Sequence, residues 1–339
     1  MKNAEQKMNK NTTIEKQVSF LKGIESVLPK NTSLVSELSE QLGISTDSAY
    51  RRMRGETFLG IDEVIHLTEK YNIPFEGFNP DGEGIVSFKY VSIKPSIDSF
   101  KEYFGGILKD LTQIKHSGAG SIRYLSQDIP VFYHYQYEYL SAFKIFYWMK
   151  SIMNIPELED KQFDINLIPE EIKAIAQQIA ENYKSIPSTE VWTDSTVLSA
   201  IQQIKYYVDA GLFKSNKDAL KICADLRKEM EDIQSMAKES SYRNAEGQLI
   251  KFNLFYSDVE FTNNCVLVDI GDMKATYLGH NSFSTMATTS NTYSLETETW
   301  MNNVISKSTP ISGLAEKIRF QFFKNIFKHI DRLEQHIED

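Results

Sequence analysis

The sequence is poor in cysteine and has no long apolar run. Its two cysteines, Cys223 and Cys265, are far apart and show no CxxC or Cys/His spacing, which excludes a zinc or disulfide framework. No apolar stretch approaches the roughly 20 residues that cross a bilayer. The polar residues 1–7 are not followed by the apolar run of a signal peptide. These absences predict a cytoplasmic, reduced protein with no membrane partner.

Motifs for metal and nucleotide chemistry are also missing from the sequence. The six histidines never pair at i, i+4, and none lies in a His-Glu motif, so no metal site is predicted. The glycine pairs within 82–84 and 118–120 lack the third glycine of a dinucleotide loop, and there is no Walker motif. We therefore predict that the chain has no cofactor and is not an enzyme.

The charge of the chain is negative and unevenly distributed. With 339 residues, 41% of them hydrophobic, the chain can form a globular protein of two or three domains. A net charge of −9 would repel nucleic acid if it were spread evenly. Residues 1–79 carry ten Lys and Arg against eleven acids, a net of −1, so residues 80–339 carry −8. Any contact with nucleic acid is therefore expected near the amino end.

Residues 38–55 have the pattern of two short helices joined by a tight turn. Leucines four residues apart share one face of the first helix, and Gly43 supplies the positive φ that ends it. Ser45 or Thr46 can cap the second helix, where free backbone N–H groups need an acceptor. The spacing predicts a helix-turn-helix.

The second of these helices is predicted to have distinct inward and outward faces. A rotation of about 100° per residue places Ala49 and Met53 on one inward side. The same rotation directs Asp47, Arg51 and Arg54 roughly the opposite way, toward solvent. Such a face suits base edges and phosphates.

This part of the chain has the outline of a known family of DNA-binding domains. The pattern Leu-x-Glu-x-Leu-Gly-Ile-Ser begins at Leu38, and the helix after it closes on Arg54-Gly55. A further amphipathic helix is predicted over 61–71. With these features, about residues 13–78 resemble the λ-repressor-like (XRE-type) helix-turn-helix family.

The resemblance implies a role for the helix over 45–54. In the family that helix lies in the major groove of double-stranded DNA, and the proteins usually act as homodimers on inverted half-sites. Arg52 departs from the family pattern, which more often has an apolar residue turned to the core, and we expect Met53 to take that place. We predict DNA contacts by Ser45, Thr46, Asp47, Ser48, Tyr50, Arg51 and Arg54, with Lys16 and Lys22 on flanking phosphates.

The rest of the chain is predicted to form a larger domain. The breaker cluster at residues 79–84 marks the boundary, which gives a helix-turn-helix domain over 1–84 and a regulatory or dimerisation domain over 85–339. The fold class is mainly α with a smaller antiparallel β part, hence α+β. Within the second domain we predict a helical part over 97–240, a strand-rich part over 249–289 and terminal helices over 294–337.

An aromatic segment at residues 132–148 has two interpretations. It can form a pocket that stacks on a flat or apolar effector, or it can be a helix packed inside the second domain. Aromatic stripes more often pack in a core than bind a ligand, so we favour the packed helix. In that case we expect His134 to be buried and hydrogen-bonded.

A second alternative concerns self-cleavage. Repressors of this fold family sometimes carry a Ser/Lys peptidase domain, and Ser141 and Lys144 with the bond Ala119-Gly120 could supply its parts. Such domains are built from strands, whereas 97–240 is predicted to be helical, so we disfavour this activity.

The last predicted helix, over 314–337, carries a broad apolar face. Such a face can belong to a core or to a dimer seam. We expect Ile318 to Phe327 to be core and the end near Leu333 to contact a second copy.

Together these patterns predict a sequence-specific DNA-binding transcription regulator with a C-terminal sensing or dimerisation domain. Its partners would be double-stranded DNA, a second copy of the chain, and a small-molecule or peptide effector. The alternative is a protein-interaction or effector protein that does not bind DNA and uses its helical head for assembly. No repeated helical hairpin supports a peptide receptor in the helical part.

Overall fold

The computed structural model describes residues 2–29, 31–71, 73, 85–271 and 273–339. The chain divides into two compact units, Met1–Ser87 and Phe88–Asp339, here called the head and the body. The predicted breaker cluster at 79–84 lies outside the described residues.

The head is helical in the residues described. Phe20, Leu21 and Ile24 are buried on one face of the first helix because they recur at three- and four-residue spacing. Leu38 and Ala49 meet them in the same core. The helices are α1 (Lys2–Val27), α2 (Leu34–Leu42), α3 (Thr46–Met53) and α4 (Ile61–Tyr71).

The body combines helices and strands, which confirms the α+β class. Ser96, Ser215 and Ser290 cap three of its helices, since each side chain accepts a hydrogen bond from a first-turn N–H. Its helices are α5 (Ile97–His116), α6 (Glu138–Tyr147), α7 (Glu170–Tyr183), α8 (Leu198–Asp209), α9 (Asn216–Glu239), α10 (Asn291–Lys307) and α11 (Glu316–Glu338). Its strands are β1 (Lys89–Tyr90), β2 (Gly120–Ser126), β3 (Ser188–Trp192), β4 (Ser241–Arg243), β5 (Leu249–Tyr256), β6 (Cys265–Ile270), β7 (Met273–His280), β8 (Ser284–Thr288) and β9 (Thr309–Pro310).

The described strands form one nine-stranded sheet. The predicted β part was antiparallel, whereas this sheet is mixed. Its order is β1-β8-β7-β6-β2-β3-β5-β4, with β9 also paired to β5. Strand β3 pairs parallel to both β2 and β5, whereas β6, β7, β8 and β1 follow in antiparallel pairs. Parallel neighbours need long crossovers, and helices α6 to α9 provide them. The prediction failed here because it placed no strand at 188–192.

A buried carboxylate sits in the middle of that missed strand. Glu190 is fully buried and accepts hydrogen bonds from Tyr133 Oη at 2.6 Å and Tyr183 Oη at 2.8 Å. Trp192 Nε1 donates to the other oxygen at 2.9 Å, and Ser188 Oγ lies 3.3 Å from the first. Burial raises the pKa of Glu190, and these donors oppose that rise. The acid broke the apolar pattern from which a buried strand is recognised.

The aromatic segment at 132–148 lies largely in the core of the body. Phe143 is fully buried and its ring meets that of Tyr207 edge to face, with centroids 5.1 Å apart. His134 is buried too, and its Nδ1 lies 2.8 Å from Oε2 of Glu229. This placement agrees with the packing interpretation.

The terminal helix corrects the predicted dimer seam. Leu333 and Ile337 are 3% and 1% exposed because α11 packs lengthwise against α9 within the same chain. The other end of the predicted apolar stripe is open instead, since Leu314 is fully exposed and Ile318 is 39% exposed. The expectation of a partner contact near Leu333 is therefore wrong, as is the core position expected for Ile318.

The residues proposed for self-cleavage occupy different parts of the body. Ser141 and Lys144 lie on α6, and Lys144 Nζ donates to Gln203 Oε1 at 2.6 Å. The carboxylate of Asp128 raises the pKa of Lys144, and Asp128 lies just beyond the carboxyl end of β2. Gly120 starts that strand, and seven residues at about 3.3 Å each separate its two ends by roughly 20 Å.

Lys144 leads to an expected pH dependence of stability. Burial lowers its pKa to about 8, so between pH 8 and its ordinary value near 10.5 the folded chain binds fewer protons than the unfolded chain. Stability then rises with pH across that interval. Relative to Lys144→Met, the wild type should gain about 1 to 3 kcal/mol in unfolding free energy from pH 7 to pH 10.

Urea unfolding followed by far-UV circular dichroism measures this difference. Lys161→Met is the matched control, since it makes the same replacement at an exposed position. An equal difference between wild type and Lys144→Met at pH 7 and pH 10 would contradict the expectation.

None of the helices in the described residues is long and apolar enough to span a bilayer.

Candidate nucleic-acid interface

Two local features form the turn between α2 and α3: a left-handed backbone conformation at Gly43 and an N-cap at Ser45. Gly43 ends α2 in the left-handed region, with φ +62°. Ser45 precedes α3 and its Oγ accepts a hydrogen bond from Ser48 N at 3.3 Å. Of the two predicted caps, Ser45 therefore takes the position, and Thr46 is the first residue of the helix.

Helix α3 turns one side to the core of the head and the other to solvent. Ala49 is fully buried, and Met53, one turn later, packs against the same core. The predicted inward face is confirmed by this burial. The exposed residues of the predicted contact set in and just after α3 are Thr46, Asp47, Tyr50, Arg51 and Arg54, while Ser48 is half-buried.

Arg52 belongs to neither face and joins two helices instead. Its Nη2 lies 2.8 Å from Oε1 of Glu63, and its Nε donates to the other carboxylate oxygen at 3.2 Å. Both side chains are mostly covered, at 15% and 17% exposure. Glu63 also accepts a hydrogen bond from Gly60 N at 2.9 Å. The polar residue in place of an apolar one thus ties α3 to the start of α4.

Gln17 is a positioning residue that the sequence interpretation missed. The side chain is buried, and its Nε2 donates to the carbonyl oxygens of Arg52 at 2.7 Å and Thr57 at 2.8 Å. Its Oε1 accepts from Leu59 N at 2.8 Å. These bonds fix the end of α3 and the loop after it to α1. The available signal was its spacing, three residues before the buried Phe20 and so on the inward stripe.

The two exposed arginines each have a carboxylate partner. Arg51 Nε lies 3.1 Å from Oδ2 of Asp47, one turn earlier on α3. Arg54 makes a two-pronged pair with Glu56, with Nε to Oε1 at 2.7 Å and Nη2 to Oε2 at 3.1 Å. All four side chains are more than half exposed. The hydrogen bond from Arg54 lowers the pKa of Glu56.

The predicted phosphate contacts lie on α1, apart from the arginines in sequence. Lys22 is exposed and Lys16 is half-buried beside Gln17. Helix α1 packs against α3, so both lysines belong to a neighbour of the exposed face.

The free side of α3 presents charged and polar side chains to solvent. Among the described residues there is no group of three or more His, Cys, Asp or Glu side chains that could hold a metal ion. A short helix with arginines, an acid and a tyrosine on its free side can offer donors and acceptors to base edges.

Comparison with known proteins returns no match for this chain. No family model, no curated protein and no solved structure is significantly similar to it.

Proposed function

We propose that this chain is a sequence-specific DNA-binding transcription regulator. The observation that carries the proposal is the free face of α3, where Asp47, Tyr50, Arg51 and Arg54 are exposed on a helix anchored by the buried Ala49. A helix held this way after a tight turn fits the major groove, whose base edges present hydrogen-bond donors and acceptors.

The exposed side chains have distinct proposed roles. Arg51 and Arg54 contact bases or phosphates, and a guanine edge offers each a two-acceptor target. Lys16 and Lys22 reach phosphates beside the groove. The short polar chains of Ser45, Thr46, Asp47 and Ser48, together with Tyr50, adjust sequence preference.

The body supplies assembly and sensing in this proposal. One helix-turn-helix contacts too few base pairs for genomic specificity, so we propose a homodimer on two half-sites. Its seam lies away from Leu333, which is buried within one chain. A small-molecule or peptide effector would act through the body.

Base contacts and phosphate contacts are expected to respond differently to mutation. If Arg51 or Arg54 reads a guanine, its replacement by Ala should cost about 1 to 3 kcal/mol and relax the preference at one position. Lys22→Ala should weaken binding to all sequences alike. The full chain is first used to select preferred duplexes from a random pool, and each variant is then titrated against selected and scrambled duplexes.

Lys251→Ala is the control, because this exposed lysine lies on β5 of the body and its loss should leave affinity unchanged. Binding should also weaken steeply as salt rises, since counterions are released from DNA. A folded full chain that selects no sequence and shows no salt-sensitive affinity for duplex DNA would refute the proposal.

A second function rests on an apolar patch of the head. Phe58, Ile61 and Ile65 are 43%, 75% and 51% exposed, and the two isoleucines lie one turn apart on α4. Such a patch favours a protein contact, as in an interaction protein that uses the head for assembly. Two results together favour this function. The wild type self-associates and has no affinity for DNA, and Ile61→Ser no longer self-associates.

A further inference from the structure

The acids beside the two exposed arginines do not hold the head together. Asp47 and Arg51 lie on the same helix, and Glu56 is two residues from Arg54. Neither pair joins two elements, and exposed ion pairs of this kind contribute little to stability. The covered pair of Arg52 and Glu63, by contrast, connects α3 to α4.

The exposed pairs change what the arginines attract. A phosphate attracts a group that carries net positive charge. An arginine beside a carboxylate carries little net positive charge, because the two charges cancel. A guanine edge offers the planar N–H fork two acceptors and carries no net charge, so a neighbouring carboxylate does not repel it as it repels a phosphate. The carboxylates of Asp47 and Glu56 therefore weaken phosphate binding more than base binding.

We propose that Asp47 and Glu56 are specificity-determining residues that keep Arg51 and Arg54 from binding the DNA backbone without regard to sequence. The arginines leave these acids when base edges of the right sequence offer two acceptors. This inference rests on the proposed function and deepens it. The head fits the role, because residues 1–79 carry a net charge of only −1 and gain no general attraction to DNA.

The experiment compares Asp47→Asn and Glu56→Gln with the wild-type full chain. Affinity is measured for a selected duplex and for random duplex DNA, each over a series of salt concentrations. If each change frees one arginine for a phosphate, affinity for random DNA should rise about eightfold at 0.1 M salt, and the salt slope should steepen by about 0.9. Affinity for the selected duplex should change less, so the specificity ratio falls.

Glu69→Gln is the matched control, since it removes the same charge from an exposed position on α4 without freeing Arg51 or Arg54. Equal gains for Glu69→Gln and the two variants would overturn the inference, because net charge alone would then explain them. A loss of affinity for the selected duplex with no gain on random DNA would overturn it too, and would make the acids direct base contacts. A wild-type chain that binds no DNA refutes the proposed function itself, which separates the two failures.

Discussion

Replacing Leu333 with glutamate is expected to unfold the body. Leu333 is 3% exposed, on the stripe of α11 that also buries Ile330 and Ile337. The change removes a buried apolar side chain and places a carboxylate at a position that is 3% exposed. The expected loss is at least about 4 kcal/mol of unfolding free energy, at the far end of the range for single substitutions.

The chain provides a selective probe for this experiment. Its three tryptophans, Trp148, Trp192 and Trp300, all belong to the body, so their fluorescence during denaturation follows that unit. Leu314→Glu is the control, since Leu314 is fully exposed two residues before α11 begins, and this variant should unfold like the wild type. A Leu333→Glu chain that is soluble, monomeric and as stable as the wild type would restore the dimer seam at this end.

Gly55→Ala is expected to destabilise the head by about 2 to 5 kcal/mol. Gly55 has φ +71°, a left-handed conformation that costs other residues about 1 to 2 kcal/mol. An added Cβ would also lie 2.4 Å from Cγ2 of Ile14, with two more atoms of that side chain within 3.4 Å. The whole branched side chain would have to move, and overpacking of this kind adds about 1 to 3 kcal/mol.

Gly43→Ala separates the cost of backbone strain from the cost of the steric clash with Ile14. Gly43 has nearly the same φ, +62°, but nothing lies within 4 Å of a Cβ added there. Its expected loss is therefore the backbone strain alone, about 1 to 2 kcal/mol. Because the tryptophans do not report on the head, hydrogen exchange of peptides from α1 to α4, read by mass spectrometry, is the suitable measurement. Equal losses for Gly43→Ala and Gly55→Ala would show that Ile14 yields freely.

Local pattern predicted much of the secondary structure of the body. Helices α5 to α9 lie within the predicted helical part over 97–240, and strands β5 to β8 lie within the predicted strand-rich part over 249–289. Spacing of apolar residues and capping side chains decide such elements, and both are properties of neighbouring residues. The faces of α3 were predictable for the same reason.

What the sequence could not supply was the identity of distant neighbours. Gln17 bonds to backbone groups 35 and 40 residues away, and Arg52 pairs with Glu63 across a loop. Periodicity tells which side of a helix is covered but not which element covers it. For that reason the apolar end of α11 was assigned to a second copy when α9 of the same chain buries it. The pairing of Arg51 with Asp47, at i, i+4, was open to prediction and was overlooked.

The margins of the sheet bear on aggregation. In the described residues one margin is β1, of two residues, and the other is formed by β4, of three, and β9, of two. A long free edge is a template on which another chain can add a strand, and short edges that carry Lys or Arg discourage it. Lys89 in β1 and Arg243 in β4 are both exposed. While the body is folded, its margins therefore offer little backbone for fibre growth, although the longer inner strands β5 and β7 would offer it once uncovered.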